Sequence, residues 1–402
     1  MRRGATILAV VGQACQAGPV LAVVGEQVRA AQASRIPGLD GLRALSIGAV
    51  VLSHTLAGSA LGPQPVAEVA ADDGVMLFFA LSGFLITTLL VREHDRSATI
   101  SLRGFYRRRI LRIWPVWYVF LLAVALLGAL GALSLPWPSL FAAGTFLWGW
   151  WPAATSFVVQ HSWSLSIEEQ FYLLWPVTLI ALLSRRRPVT WVAAGLALAP
   201  LVHVLYYLLL PGLRDRGQGV TAYRLDPLLA GALAAFILRD ERVLAVVRGF
   251  VGRYLVMAAG AVLAGDAAVR ISFPRHEGAY VSSVGTTIVG TCMAVLVLSV
   301  VLHPGSAPVR LLCAPPMVFL GLISFSLYVW QQPLLRAGFL GPVSHFPVNL
   351  ALSLVVAVLS WRFIELPVGR LRHTAGRLSA AVPAEARGGW AVTDAEAAAP
   401  GA

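Results

Sequence analysis

The chain has 402 residues, of which 58% are hydrophobic and 12% charged, with a net charge of +12. The apolar residues come in repeated runs near twenty long, which excludes a soluble domain and points to an all-α, polytopic membrane protein. The charge invites a nucleic-acid reading, but every basic residue other than histidine is arginine and the arginines gather in particular loops, so no nucleic-acid partner is expected.

Residues 1–34 begin Met-Arg-Arg and continue into an apolar region over 5–24 that resembles a weak signal sequence. Gln13, Gln16, Gly18 and Pro19 interrupt it, and this N-terminal extension receives no function. About ten spans follow, at 42–61, 73–91, 113–133, 163–184, 189–210, 223–238, 254–270, 281–302, 317–337 and 348–367. The apolar piece 141–151 is short and bounded by Pro136, Pro138 and Pro152, so it reads as an interfacial or re-entrant element with its tryptophans at headgroup depth. Together these make a membrane domain over 35–372, followed by a disordered, Ala-, Gly- and Pro-rich tail over 373–402.

The loops set the orientation. Loop 92–112 carries Arg92, Arg96, Arg103, Arg107, Arg108, Arg109 and Arg112, and later loops carry Arg185 to Arg187 and Arg239 to Arg253. Loops 58–72 and 134–162 have none. This alternation predicts both termini in the cytoplasm, with Arg214, Arg216 and Arg275 falling outside the pattern. Three cysteines, Cys15, Cys292 and Cys313, are widely spaced and match no metal or disulfide pattern, so no metal is expected.

Ionisable residues inside membrane helices are costly and therefore candidates for function. Arg43 and His54 are eleven positions apart, which returns a helix to within ~20° of its starting direction and separates them by ~16 Å along the axis. Arg109 and Arg112, three apart, form a cationic pair at the cytoplasmic mouth of the third span, suited either to phosphate or to setting topology. Ser82 and Gly83 lie in the second span, where small residues ordinarily allow close helix approach. Glu168 and Glu169 follow His161 and Trp163 at the outer start of the fourth span, where a carboxylate stabilises a helix N-terminus, orients an imidazole or accepts a hydroxyl proton. Arg224 and Asp226 open the sixth span, and Asp266 with Arg270 reads as a structural i,i+4 pair.

Taken in order, these stretches resemble the integral-membrane acyltransferase family 3, the O-acyltransferases of surface glycans and some natural products. The likeness rests on Arg-x10-His (Arg43, His54), the Phe78 to Leu85 run, Arg-x-x-Arg-Ile-x-Pro (Arg109 to Pro115) and Trp-Ser-Leu-x-x-Glu (Trp163 to Glu168). Arg-x-Asp (Arg224, Asp226), Ser-x-x-Leu-Tyr-x-Trp (Ser324 to Trp330) and Phe-x-Glu-x-Pro (Phe363 to Pro367) complete it. Two positions depart: Met76 stands where many members have Asp, and Gln331 where members commonly have His.

The resemblance implies transfer of an acyl group, expected to be acetyl, from cytoplasmic acyl-CoA to a hydroxyl of a glycan or natural product, with no permanently bound cofactor. It implies an inner-membrane, multi-pass protein. His54 is expected to act as general base or covalent acyl carrier, and Arg43 to orient the donor or compensate a carboxylate. Glu168 would orient the imidazole or the acceptor, and Arg109 and Arg112 would bind the CoA phosphates. Ser82, Trp163, Arg224 and Asp226 are the expected substrate contacts. Two alternatives stay open: a transporter of an anionic or acylated solute, and the same transferase acting on a cytoplasmic natural product.

Overall fold

The computed structural model describes residues 36–370, except 57–63, 152, 210–223, 251–252, 274–279 and 336–344. The expected N-terminal extension, the C-terminal tail, and Arg214, Arg216 and Arg275 lie outside the described residues. Every expected span coincides with a helix, and the described residues contain no strand. In chain order the helices are α1 (Leu39–Leu56), α2 (Gln64–Ser97), α3 (Leu102–Ala129), α4 (Trp137–Gly144), α5 (Ser162–Leu183), α6 (Pro188–Leu209) and α7 (Asp226–Arg239). They continue with α8 (Glu241–Phe250), α9 (Arg253–Ser272), α10 (Thr286–Leu302), α11 (Ala307–Leu312), α12 (Pro315–Leu335) and α13 (Val348–Ser360).

Seven helices among the described residues are long and apolar enough to cross a membrane. This is a multi-pass membrane protein. Three of the ten expected spans, α1, α5 and α7, are not among these seven. α7 has 14 residues, which at ~1.5 Å each give ~21 Å, short of a ~30 Å hydrocarbon core. Its apolar run has another cause. Leu228, Ala232 and Phe236 are buried, as are Ala230 and Ala234, because α7 is wrapped by α2, α6 and α10 rather than by lipid.

The core forms around α2, which packs on α1 and α7, while α1 packs on α12. Small residues permit this. A Cβ on Gly83 of α2 would lie 2.0 Å from the Leu228 carbonyl oxygen, and one on Gly231 of α7 would lie 2.0 Å from that of Ala80. The two backbones are therefore in direct contact, as small residues allow in membrane helix pairs. Gly83 thus has the packing role its sequence position suggested. The periphery is the reverse: α6 and α9 expose Leu198, Leu201, Leu205, Met257 and Val262, as a lipid-facing surface does.

The segment between α3 and α5 folds back into the bundle. Trp117 Nε1 donates to the Ala143 carbonyl at 3.1 Å, and Tyr118 Oη donates to that of Gly144 at 2.8 Å. Trp117 lies twelve residues before the end of α3, so α4 and the turns after it reach ~18 Å back along that helix. The proline-bounded piece is therefore re-entrant. It carries the start of α5 into the bundle and so sets the depth of Glu168.

Candidate functional site

One cavity of about 90 Å³ opens among α1, α2, α3, α5 and α12. Its lining includes Arg43, Ser82, Arg109, Arg112, Glu168 and Tyr172, with Ser164 and Tyr328 as further polar members and Phe78, Phe79 and Phe325 as apolar walls. That volume admits several waters, and hence a small acyl group.

The phase of α3 decides which arginines enter. Ser101 caps the helix by accepting from the Gly104 amide at 3.2 Å. From that start, Arg109 and Arg112 fall one turn apart on the inner face. Arg108 turns outward to Glu93 at 3.1 Å, and Arg107 is exposed. The Arg109 guanidinium lies 5.2 Å above the centre of the Tyr172 ring, a cation–π contact that holds it in place.

Opposite the arginines runs a hydrogen-bonded chain. Tyr172 Oη donates to Ser82 Oγ at 3.1 Å, and Ser82 Oγ donates to Glu168 Oε1 at 2.7 Å. Glu168 and Tyr172 are four apart on α5, so they share a face. Arg109 and Arg43 both act electrostatically on Glu168, giving the cavity a buried carboxylate balanced by guanidinium groups. Arg43 also pairs with Asp40 at 3.2 Å, one turn earlier on α1.

His54 sits beyond the cavity on the same helix as Arg43. Its Nδ1 is 2.7 Å from Gln331 Oε1 on α12. Asp40 meets α12 at Gly321, and His54 meets it ten residues later at Gln331, so the two helices run parallel, as the first and ninth spans should. Ser164 and Tyr328, hydrogen-bonded to each other, line the same cavity, and Tyr328 lies one turn before Gln331 on α12. Tyr328 also donates to the His161 carbonyl at 3.0 Å. The His161 ring packs edge-on against Trp117, Phe120 and Tyr328 at 5.5, 5.3 and 5.6 Å.

The acyltransferase-domain family model matches residues 36–362, which include all five helices of this site. The chain belongs to acyltransferase family 3. It is 29% identical over 363 residues to a Staphylococcus aureus (strain COL) protein provisionally named an O-acetyltransferase, covering 83% of this chain and 57% of that one. It is also 29% identical over 373 residues to the O-acetyltransferase OatA of Staphylococcus aureus (strain NCTC 8325), with the same coverage. The chain thus spans little more than half the length of these relatives. No solved structure matches it significantly.

Within this acyltransferase fold, three expected substrate contacts do not line the cavity. Trp163 packs behind it, its ring edge-on to Phe79 at 6.1 Å and 5.7 Å from the Arg224 guanidinium. Arg224 is buried and pairs with Asp72 at 2.8 Å. Asp226 meets His203 Nε2 at 3.2 Å and accepts from Thr287. The expected pair of Asp266 and Arg270 exists at 3.6 Å but belongs to a larger network, in which Arg270 also reaches Asp72 at 3.0 Å and Asp73 at 3.2 Å. Met76 lies with its sulfur 3.5 Å from the same Arg224.

Sequence reasoning missed Tyr172, Ser164, Tyr328 and Gln331 as members of the site. Tyr172 had a signal, being four residues after Glu168 on a helix. Tyr328 and Gln331 had none in spacing, because their partners are more than 150 residues away. Among the described residues no cluster of His, Cys, Asp and Glu suits a metal ion.

Proposed function

We propose that this protein is an inner-membrane O-acetyltransferase with both termini in the cytoplasm. It takes an acetyl group from cytoplasmic acetyl-CoA and transfers it to a hydroxyl of a glycan or similar acceptor beyond the membrane. The observation that carries this reading is one cavity holding three guanidinium groups, Arg43, Arg109 and Arg112, with His54 farther along the helix of Arg43. Guanidinium groups bind phosphates bidentately, which suits the CoA end of the donor. The relatives named O-acetyltransferases support the choice of group.

In this mechanism the thioester passes the arginines and reaches His54. His54 Nε2 takes the proton of the acceptor hydroxyl as the oxygen attacks the thioester carbonyl carbon. The new C–O bond forms, the C–S bond breaks, and the CoA thiolate leaves with the proton from the imidazolium. In the covalent variant Nε2 itself attacks the carbonyl carbon first and the C–S bond breaks, releasing the CoA thiolate; the acceptor hydroxyl then attacks the acyl-imidazolium, the C–N bond breaks, and the freed Nε2 takes the hydroxyl proton and passes it to the thiolate. Glu168, fixed by Ser82, balances the guanidinium charge near the donor.

The test uses purified protein and acetyl-CoA labelled in the acetyl group. His54→Ala should lower transfer by ~100-fold or more while leaving insertion and acetyl-CoA binding intact. A single turnover without acceptor separates the variants, since label retained on His54 marks a covalent carrier. A folded His54→Ala protein with full transfer refutes the mechanism.

A further inference from the structure

Two glutamines sit side by side near the end of α12, and both are buried. Gln332 has a plain structural role. Its Nε2 donates to the Phe157 carbonyl at 2.8 Å and ties the re-entrant segment to the helix. Gln331 points elsewhere, to His54.

In the side-chain placement of the structure the amide oxygen of Gln331 faces His54 Nδ1, and an amide oxygen only accepts. With the amide in this orientation and the imidazole neutral, the proton of the contact belongs to Nδ1 and the ring lone pair lies on Nε2. Both versions of the proposed mechanism need this tautomer. A general base takes the hydroxyl proton at Nε2, and a covalent carrier attacks the thioester from Nε2. The other end of the amide is equally informative. Gln331 Nε2 is buried and makes no hydrogen bond. A buried amide donor without a partner is costly, and such groups call for an explanation in catalysis or in a ligand.

We infer that Gln331 is a positioning residue for His54, holding the imidazole in the Nδ1–H tautomer so that Nε2 is free for acyl transfer. The inference rests on the reading in which His54 performs the transfer. Gln331 acts where a carboxylate or carbonyl orients the imidazole in many other sites. Being neutral, it orients the ring without adding a charge to the buried surroundings. It does not line the cavity that holds the three arginines, so its effect should fall on turnover and not on donor affinity.

The experiment compares wild type with Gln331→Met, Gln331→Glu and Gln331→Asn, with His54→Ala as reference. Gln331→Met removes the acceptor and keeps the shape. It should lower kcat by ~10–100-fold, the usual effect of losing a residue that orients a functional histidine, with KM for acetyl-CoA within twofold of wild type. Nitrogen-15 imidazole spectra, assigned through the signal lost in His54→Ala, should show protonated Nδ1 in wild type and a mixture of tautomers in Gln331→Met. Gln331→Glu retains an acceptor oxygen and should restore the tautomer and part of kcat. Gln331→Asn is one methylene too short and should resemble Gln331→Met, which keeps the test intact if the Met variant does not fold. Full transfer by His54→Ala refutes the underlying mechanism. An inactive His54→Ala beside a fully active Gln331→Met with the wild-type spectrum refutes this inference alone.

Discussion

Arg109 and Arg112 differ from Arg107 and Arg108 in the direction that α3 gives them. Arg107 is exposed and Arg108 is held by Glu93, whereas these two enter the cavity. If they bind donor phosphates, Arg109→Ala or Arg112→Ala each removes charge-assisted hydrogen bonds of about 1.5–3 kcal/mol, equivalent to a rise in KM for acetyl-CoA of roughly 10–100-fold. Arg185→Ala, at an exposed loop position, should leave KM unchanged. Steady-state kinetics in detergent decides this, and equal effects at all three would remove the phosphate assignment. Asp72 makes a different prediction. It bridges two buried guanidinium groups, so Asp72→Asn takes the paired carboxylate from Arg224, while Arg270 keeps Asp73 and Asp266. A loss of about 3–5 kcal/mol is expected, read as a lower thermal midpoint of the purified protein.

At the scale of elements, the contact of α2 with α7 is set by two glycines and leaves no room for a side chain. Gly231→Val would drive methyl groups into the Ala80 carbonyl. Overpacking of this kind costs about 1–3 kcal/mol or more, so the variant should melt earlier and express poorly. Gly195→Val in α6, with nothing near its Cβ direction, is the matched control and should behave as wild type. Equal melting of the two variants would show that this contact yields easily. Helix identity was legible in the sequence, since runs of apolar residues specify membrane helices locally. The role of α7 was not. Its run of Leu, Ala and Phe has the same composition whether lipid or protein surrounds it, and only its neighbours reveal which.

Across the whole molecule, the arginine alternation predicts that the ends of α2 and α3 face opposite sides of the membrane. Cysteines introduced at Ala98 and Ala132, both exposed, in a background without Cys15, Cys292 and Cys313 should react with an impermeant reagent from opposite faces. Reaction from one face would overturn the orientation and with it the cytoplasmic entry of the donor. The parallel contact of α1 with α12 agrees with the expected parity of those spans.

By itself, the sequence was enough to establish a polytopic helical membrane protein, the positions of its long helices, and a stripe joining Arg43 to His54. These are local properties, written in hydropathy and in a period of ~3.6 residues. The ordered motifs also pointed to the family that the comparison then showed. Only the tertiary structure decided what the cavity contains. Glu168 reads in sequence as a residue near the outer surface, yet the re-entrant segment lowers the start of α5 until Glu168 meets Ser82 and the field of Arg109. Arg224 and Asp226 read as substrate contacts, and in the structure Arg224 pairs with Asp72 while Asp226 meets His203 and Thr287, outside the cavity lining. The pairing of Gln331 with His54 joins residues 277 positions apart. No spacing rule reaches that far, because such contacts follow from how helices pack and not from how any one of them forms.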